Sequence, residues 1–202
     1  ARTVQLPPKL LSHNDQQSYW QSSSPEGAAS GWGGRIGDLL QSGNNNPSLT
    51  CMNPAGNAVF LSGQSAVQFS TTSNGPIALN ARTSLQGSTA AATLLRSLIS
   101  NPVNHMLETE HAKVGKRALD LFDLITSARA IAPVTSTVFP AAADPGSSLG
   151  LQLKEVAKLI SVSRELGARR QVFFVSTGGF DNHDGIVTVH PRLLTNLANA
   201  MR

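Results

Sequence analysis

The sequence predicts an α/β fold: a mostly parallel sheet with flanking helices and a β-hairpin-rich insertion. Three observations predict it. First, Leu149, Leu153, Val156, Ala157, Ile160 and Ser163 mark one face of a helix that Gly167 stops, and the apolar run Val-Phe-Phe-Val-Ser-Thr follows at 172–177. A helix leading into an all-apolar strand is the pattern of a parallel sheet covered on both faces. Second, residues 48–82 carry short β-favouring pieces broken by Gly, Pro and Asn, the punctuation of strands and hairpins. Third, residues 88–131 return to apolar spacings of three and four, which is helical periodicity.

Taken in order, Ser12 or Asn14 can cap a short helix running to about Gln21, since a side-chain oxygen there accepts from the free N–H groups of the first turn. A Ser-, Pro- and Gly-rich loop leads to Gly31–Gly34 around Trp32. Arg35, Ile36, Leu39 and Leu40 then outline an amphipathic helix closed by Ser42 and Gly43, and residues 44–47 (Asn-Asn-Asn-Pro) form a turn. Strands are expected within 48–52, 58–62 and 67–72. Two helices follow, the first through Ala92, Leu95 and Leu98, the second and longer one after Pro102, from Met106 to Ile125. Residues 132–148, rich in Pro, Ala and Ser, are either an irregular crossing or a substrate-side loop. Pro191 opens a last helix through Leu193, Leu194, Leu197 and Met201.

Composition bounds the function. With 202 residues, 40% hydrophobic and 14% charged, the chain suits one globular domain or a large part of one. Ala1 in place of Met, an extended opening, and a final helix reaching Arg202 without a stop signal lead us to expect a single partial domain over 1–202, truncated at both ends. Sixteen Lys and Arg against twelve Asp and Glu leave +4, scattered along the chain, and the two Trp, one Tyr and seven Phe are not interleaved with basic runs. This excludes a nucleic-acid partner of the usual kinds. Cys51 is a lone cysteine, so no internal disulfide forms; we read it as a small buried hydrophobe. No apolar run is long enough for a membrane span, and no signal peptide opens the chain.

Chemistry concentrates at two places. Gly178 and Gly179 open a turn past the predicted strand end, followed by Asp181, His183 and Asp184. Open α/β sheets hold their ligands at such strand ends, and a carboxylate and an imidazole two residues apart suit a divalent cation. The same composition also suits an ordinary polar turn. The second place is Ser12, His13, Asn14 and Asp15 at a helix start whose N–H groups favour an anion. Ser12 is a candidate hydroxyl nucleophile once a metal or base activates it, and equally a plain helix cap. His190, before Pro191, can order the end of the 178–184 loop. His105 and His111 fall among charged residues and read as surface positions. Trp32 either lines a pocket or anchors the core.

Three segments in this order, Leu-Pro-Pro-Lys-Leu-Leu-Ser-His-Asn-Asp-Gln-Gln (6–17), Gly-Trp-Gly-Gly-Arg-Ile-Gly-Asp-Leu-Leu (31–40) and Gly-Gly-Phe-Asp-Asn-His-Asp (178–184) with His-Pro-Arg-Leu-Leu (190–194), resemble the domain of unknown function 1501 family. That family is grouped with the alkaline phosphatase-like superfamily, so the resemblance implies part of an α/β core with metal ions and a nucleophile at a helix start. It implies a metal-dependent hydrolase of phosphate or sulfate esters when full length. Asp181 and His183 would be metal ligands, Ser12 the catalytic nucleophile, and His13, Asp15, Asp184 and His190 supporting residues. The cofactors implied are divalent ions, with zinc, manganese, magnesium and calcium all open. Further acidic and His-bearing segments of the family pattern are not found in this sequence, so the chain alone is expected to lack a complete two-metal site and to be inactive. Exported members suggest an envelope or periplasmic location. The partner is then a small anionic ester, or, in the alternative reading of a non-catalytic exported binding or assembly protein on the same scaffold, an envelope protein.

Overall fold

The computed structural model describes residues 9–25, 27–102, 104–140 and 147–201. Residues 1–8, where an extended opening is expected, the middle of the 132–148 segment and Arg202 lie outside the described residues. The chain forms two compact units, one of residues 1–75 with 132–202 and one of residues 76–131.

The first unit is a mixed α/β structure. Helix α1, His13–Ser22, starts where predicted: Ser12 is its N-cap, accepting from the Asp15 N–H at 3.3 Å. Helix α2, Trp32–Leu40, follows. The sheet then takes β1 (Cys51–Asn53), β2 (Gln68–Thr72), β3 (Gly75–Pro76) and, from far along the chain, β4 (Val172–Phe173), in the order β3-β2-β1-β4. β1 runs parallel to both neighbours, with Cys51 opposite Gln68 on one side and Val172 on the other. Ser73 and Asn74 alone join β2 to β3 as a tight hairpin. Pro76 ends the edge strand β3, where a missing N–H costs no ladder bond.

Two expected strands differ. The piece at 58–62 contains a 3₁₀ turn, Val59–Leu61, closed by the Ser62 N–H donating to the Val59 carbonyl at 3.0 Å. The run 172–177 pairs only as the two-residue β4, half-buried at the sheet edge. Beyond it the Phe174 N–H still donates to the Met52 carbonyl at 3.1 Å. A side chain then replaces the ladder: Gln152 accepts from the Ser176 N–H and donates to its carbonyl, both at 2.9 Å. Gln152 belongs to α5, Ser147–Ser161. The turns after α5 stop at Gly167, whose left-handed φ of +68° allows the Ala168 N–H to reach the Ser163 carbonyl, a Schellman closure. Helix α6, Ile186–Met201, begins five residues before Pro191, which sits inside it. The ring removes the N–H that would bond the Val187 carbonyl, a loss a second-turn position tolerates at some cost.

The core of this unit is Cys51, Ala58, Phe60, Leu61 and Ala66, with Val172 and Phe174 packed against it. Helix α2 reaches it by having no side chains on its inner face. A Cβ at Gly34 would run into the Ser62 carbonyl, and one at Gly37 into the Cys51 sulfur. Asp38 then fastens the facing loop: its carboxylate accepts from the N–H groups of Gln64 (2.8 Å), Ser65 (2.9 Å) and Ala66 (2.7 Å) and from the Ser65 hydroxyl. Those donors hold its carboxyl well below the usual carboxylate range. Trp32 is an anchor rather than a pocket wall: it stacks edge-on against Phe60 and its indole N–H donates to the Trp20 carbonyl. Cys51 is fully buried as expected, and burial, aided by the Asp38 charge, pushes its thiol up to about 11.

The second unit is a helical hairpin of α3, Thr89–Ser100, and α4, Met106–Ala130. Ser88 caps α3 by accepting from Ala91 N–H. Gly115 lets the two helices close up, since a Cβ there would come within 2.7 Å of the Ile99 carbonyl. Burial alone would raise the Asp123 carboxyl, but the hydrogen bonds and charges of Arg82 and Arg96 outweigh it and the net shift is downward. His105 and His111 are exposed, as their charged neighbours suggest. Among the described residues, no helix is long and apolar enough to cross a membrane.

Candidate metal centre

The two places singled out in the sequence meet in space. α1 presents His13 as its first residue. The chain leaving β4 is steered by Gly179 and Gly185, both left-handed with φ of +91° and +60°, so that residues 180–184 form a compact loop before α6. Asn182 closes it by donating to the Gly179 carbonyl at 3.0 Å. This loop sets Asp181 between two imidazoles. Its Oδ2 lies 3.4 Å from His13 Nδ1 and its Oδ1 lies 3.4 Å from His183 Nε2. The two rings stand edge to face with centroids 5.8 Å apart.

One ligand atom from each of His13, Asp181 and His183 falls within 4.8 Å of the others. Tetrahedral zinc held at about 2.0–2.1 Å keeps its ligand atoms about 3.4 Å apart, so the donor set suits a divalent cation with small side-chain adjustments. A carboxylate with two imidazoles suits zinc or manganese better than the oxygen-only cages of calcium. The side chains are 62%, 62% and 79% exposed, so water or a substrate oxygen has open access.

The other predicted site residues divide. Ser12 adjoins His13, but its Oγ faces the helix as the cap of the Asp15 N–H. Asp15 turns inward: it is buried, with Lys9 Nζ at 3.8 Å from its carboxylate. Asp184 is exposed on the loop and outside the three-residue group. His190, one turn into α6, braces the loop from behind, with Nε2 3.3 Å from the Phe180 carbonyl and its ring edge-on to Phe180. Sequence reading gave His13 only a supporting place, because nothing in residues 12–15 says what lies opposite them. Only its presence in the first of the resembling segments pointed toward the loop.

No protein-family model matches the chain, and no curated protein and no solved structure matches it.

Proposed function

We propose that His13, Asp181 and His183 hold a divalent cation, and that the protein belongs to a metal-dependent hydrolase acting on phosphate or sulfate esters. The observation that carries this reading is the meeting of two remote motifs in one exposed group of ligand atoms. A polar turn accounts for Asp181 and His183 as neighbours, but not for a histidine from the start of α1 on the far side of the same carboxylate.

Each residue has a task. Asp181 brings the negative charge that offsets a cation, and neutral His13 and His183 bring lone pairs, so binding competes with their protonation. A cation held there supplies polarisation of the ester and neutralisation of its anionic oxygens. The start of α1 adds to this, since the His13 and Asn14 N–H groups have no carbonyl within the helix and favour a nearby anion. Ser12 is the adjoining hydroxyl nucleophile, and turning toward an ester would release its cap on Asp15. Gly178 stands in open space, with nothing within 4 Å of where a Cβ would sit.

Metal content measured by elemental mass spectrometry after purification without chelator tests this. About one ion per chain is expected, lost in both Asp181→Ala and His13→Ala and kept in Ser12→Ala. Retention in the first two variants, or no metal in any, refutes the site. Hydrolysis of aryl phosphate and aryl sulfate by the metal-loaded full-length protein, abolished in Ser12→Ala, tests the reaction; metal binding without turnover by the full-length protein would favour the binding-protein alternative.

A further inference from the structure

We propose that the groove between residues 132–140 and α5 binds a small amphiphilic anion, a carboxylate or phosphate monoester carrying a short apolar chain. None of its residues belongs to the candidate metal centre, so the two readings stand or fall separately.

The groove is built by one face of a helix. Gly150, Lys154, Lys158 and Ser161 follow each other at three- and four-residue steps along α5, and Ala157 lies three residues from Lys154 and four from Ser161, so the five share a side. Gly150 brings the passing chain close, because a Cβ there would meet Pro140 at 2.7 Å. From that point back to Ala132 the chain stands off the helix, enclosing about 750 Å³, within the range of small-ligand sites. Ala157 keeps the floor low. The outer wall carries Val134 and Val138, which are 100% and 90% exposed. Between them run the hydroxyls of Thr135, Ser136 and Thr137, ordered by the Thr137 N–H donating to Thr135 Oγ1.

The helix wall supplies the charge. Lys154 and Lys158 lie one turn apart and form no ion pair among the described residues. Like charges at this spacing repel, and an anion between them relieves the repulsion while gaining charge-assisted hydrogen bonds. The ligand chemistry follows from the two walls together: a head with one or two negative charges on the lysines and hydroxyls, and an apolar portion along Val134 and Val138. The volume suits one small molecule, whereas a nucleic acid would need a longer basic track.

Calorimetric titration of the protein with octanoate, octyl phosphate and neutral octanol tests this. Both anions should bind more tightly than octanol by about tenfold or more, and Lys154→Gln with Lys158→Gln should cost them about tenfold per lysine while leaving octanol unchanged. The tighter of the two anions identifies the head group. Ala157→Leu, which fills the floor without altering charge, should weaken all three. Amide chemical-shift changes with octyl phosphate should cluster at 132–140 and 150–161. Equal affinity for octanol and the anions, unchanged anion binding in the double variant, or shifts centred elsewhere would overturn the proposal.

Discussion

Replacing Asp38 with Asn removes one charge and almost no volume, and it probes how α2 is held to the rest of its unit. The carboxylate receives three backbone N–H groups at 2.7–2.9 Å and the Ser65 hydroxyl. Hydrogen bonds to a charged group contribute about 1.5–3 kcal/mol each, and those open to water far less. Only the bond to Ala66 N–H is shielded; the two to Ser65 and the one to Gln64 are exposed. One full contribution and three of a few tenths give an expected loss of about 2–4 kcal/mol at pH 7. The pH dependence has a definite sign. The native carboxyl titrates below its unfolded value near 3.9, so its stabilisation is complete above that value and is lost as pH falls toward the native one. Urea unfolding of wild type and Asp38→Asn should therefore show a constant gap from pH 7 to about pH 5, narrowing below about pH 4. A gap under about 0.5 kcal/mol at pH 7, or one that does not change with pH, would refute the clamp.

Gly34→Ala should invert the usual benefit of alanine in a helix: worth up to about 1 kcal/mol at an exposed site, it should here cost about 3 kcal/mol because the Cβ meets the Ser62 carbonyl, as urea unfolding would show. Cys51, buried with its thiol near 11, should resist alkylation by iodoacetamide at pH 8 in the native protein and react at once in guanidinium. His190→Ala should weaken cation binding by about tenfold through a loosened loop, with His190→Gln recovering part of it by restoring an N–H toward the Phe180 carbonyl. Metal titration of the two variants against wild type checks this, and equal affinities in all three would remove His190 from the site.

The features legible in the sequence were those that local physics controls. Ser12 caps α1 because a hydroxyl at that position satisfies free N–H groups wherever the helix lies. Gly167 stops the run after α5 because a left-handed residue closes the last carbonyls. The polar loop after β4 was visible for a related reason, since its glycines are needed for left-handed φ. The length of β4 and the 3₁₀ turn at Val59–Leu61 were not visible. Which strand lies at an edge, and which consecutive side chains both face the core, depends on neighbours distant in the chain.

The sequence by itself determined the α/β class, the cap of α1 and the stop at Gly167, and which residue types could carry chemistry, because these depend on spacing, capping and backbone freedom within a few residues. Only the tertiary structure decided that β1 lies between β2 and β4, that Gln152 stands in for the ladder beyond Phe174, and that His13 joins Asp181 and His183 while Asp15 turns inward. Those outcomes rest on contacts between segments far apart in the chain, whose geometry is set by packing around Cys51, Phe60 and Leu61 and not by any local spacing.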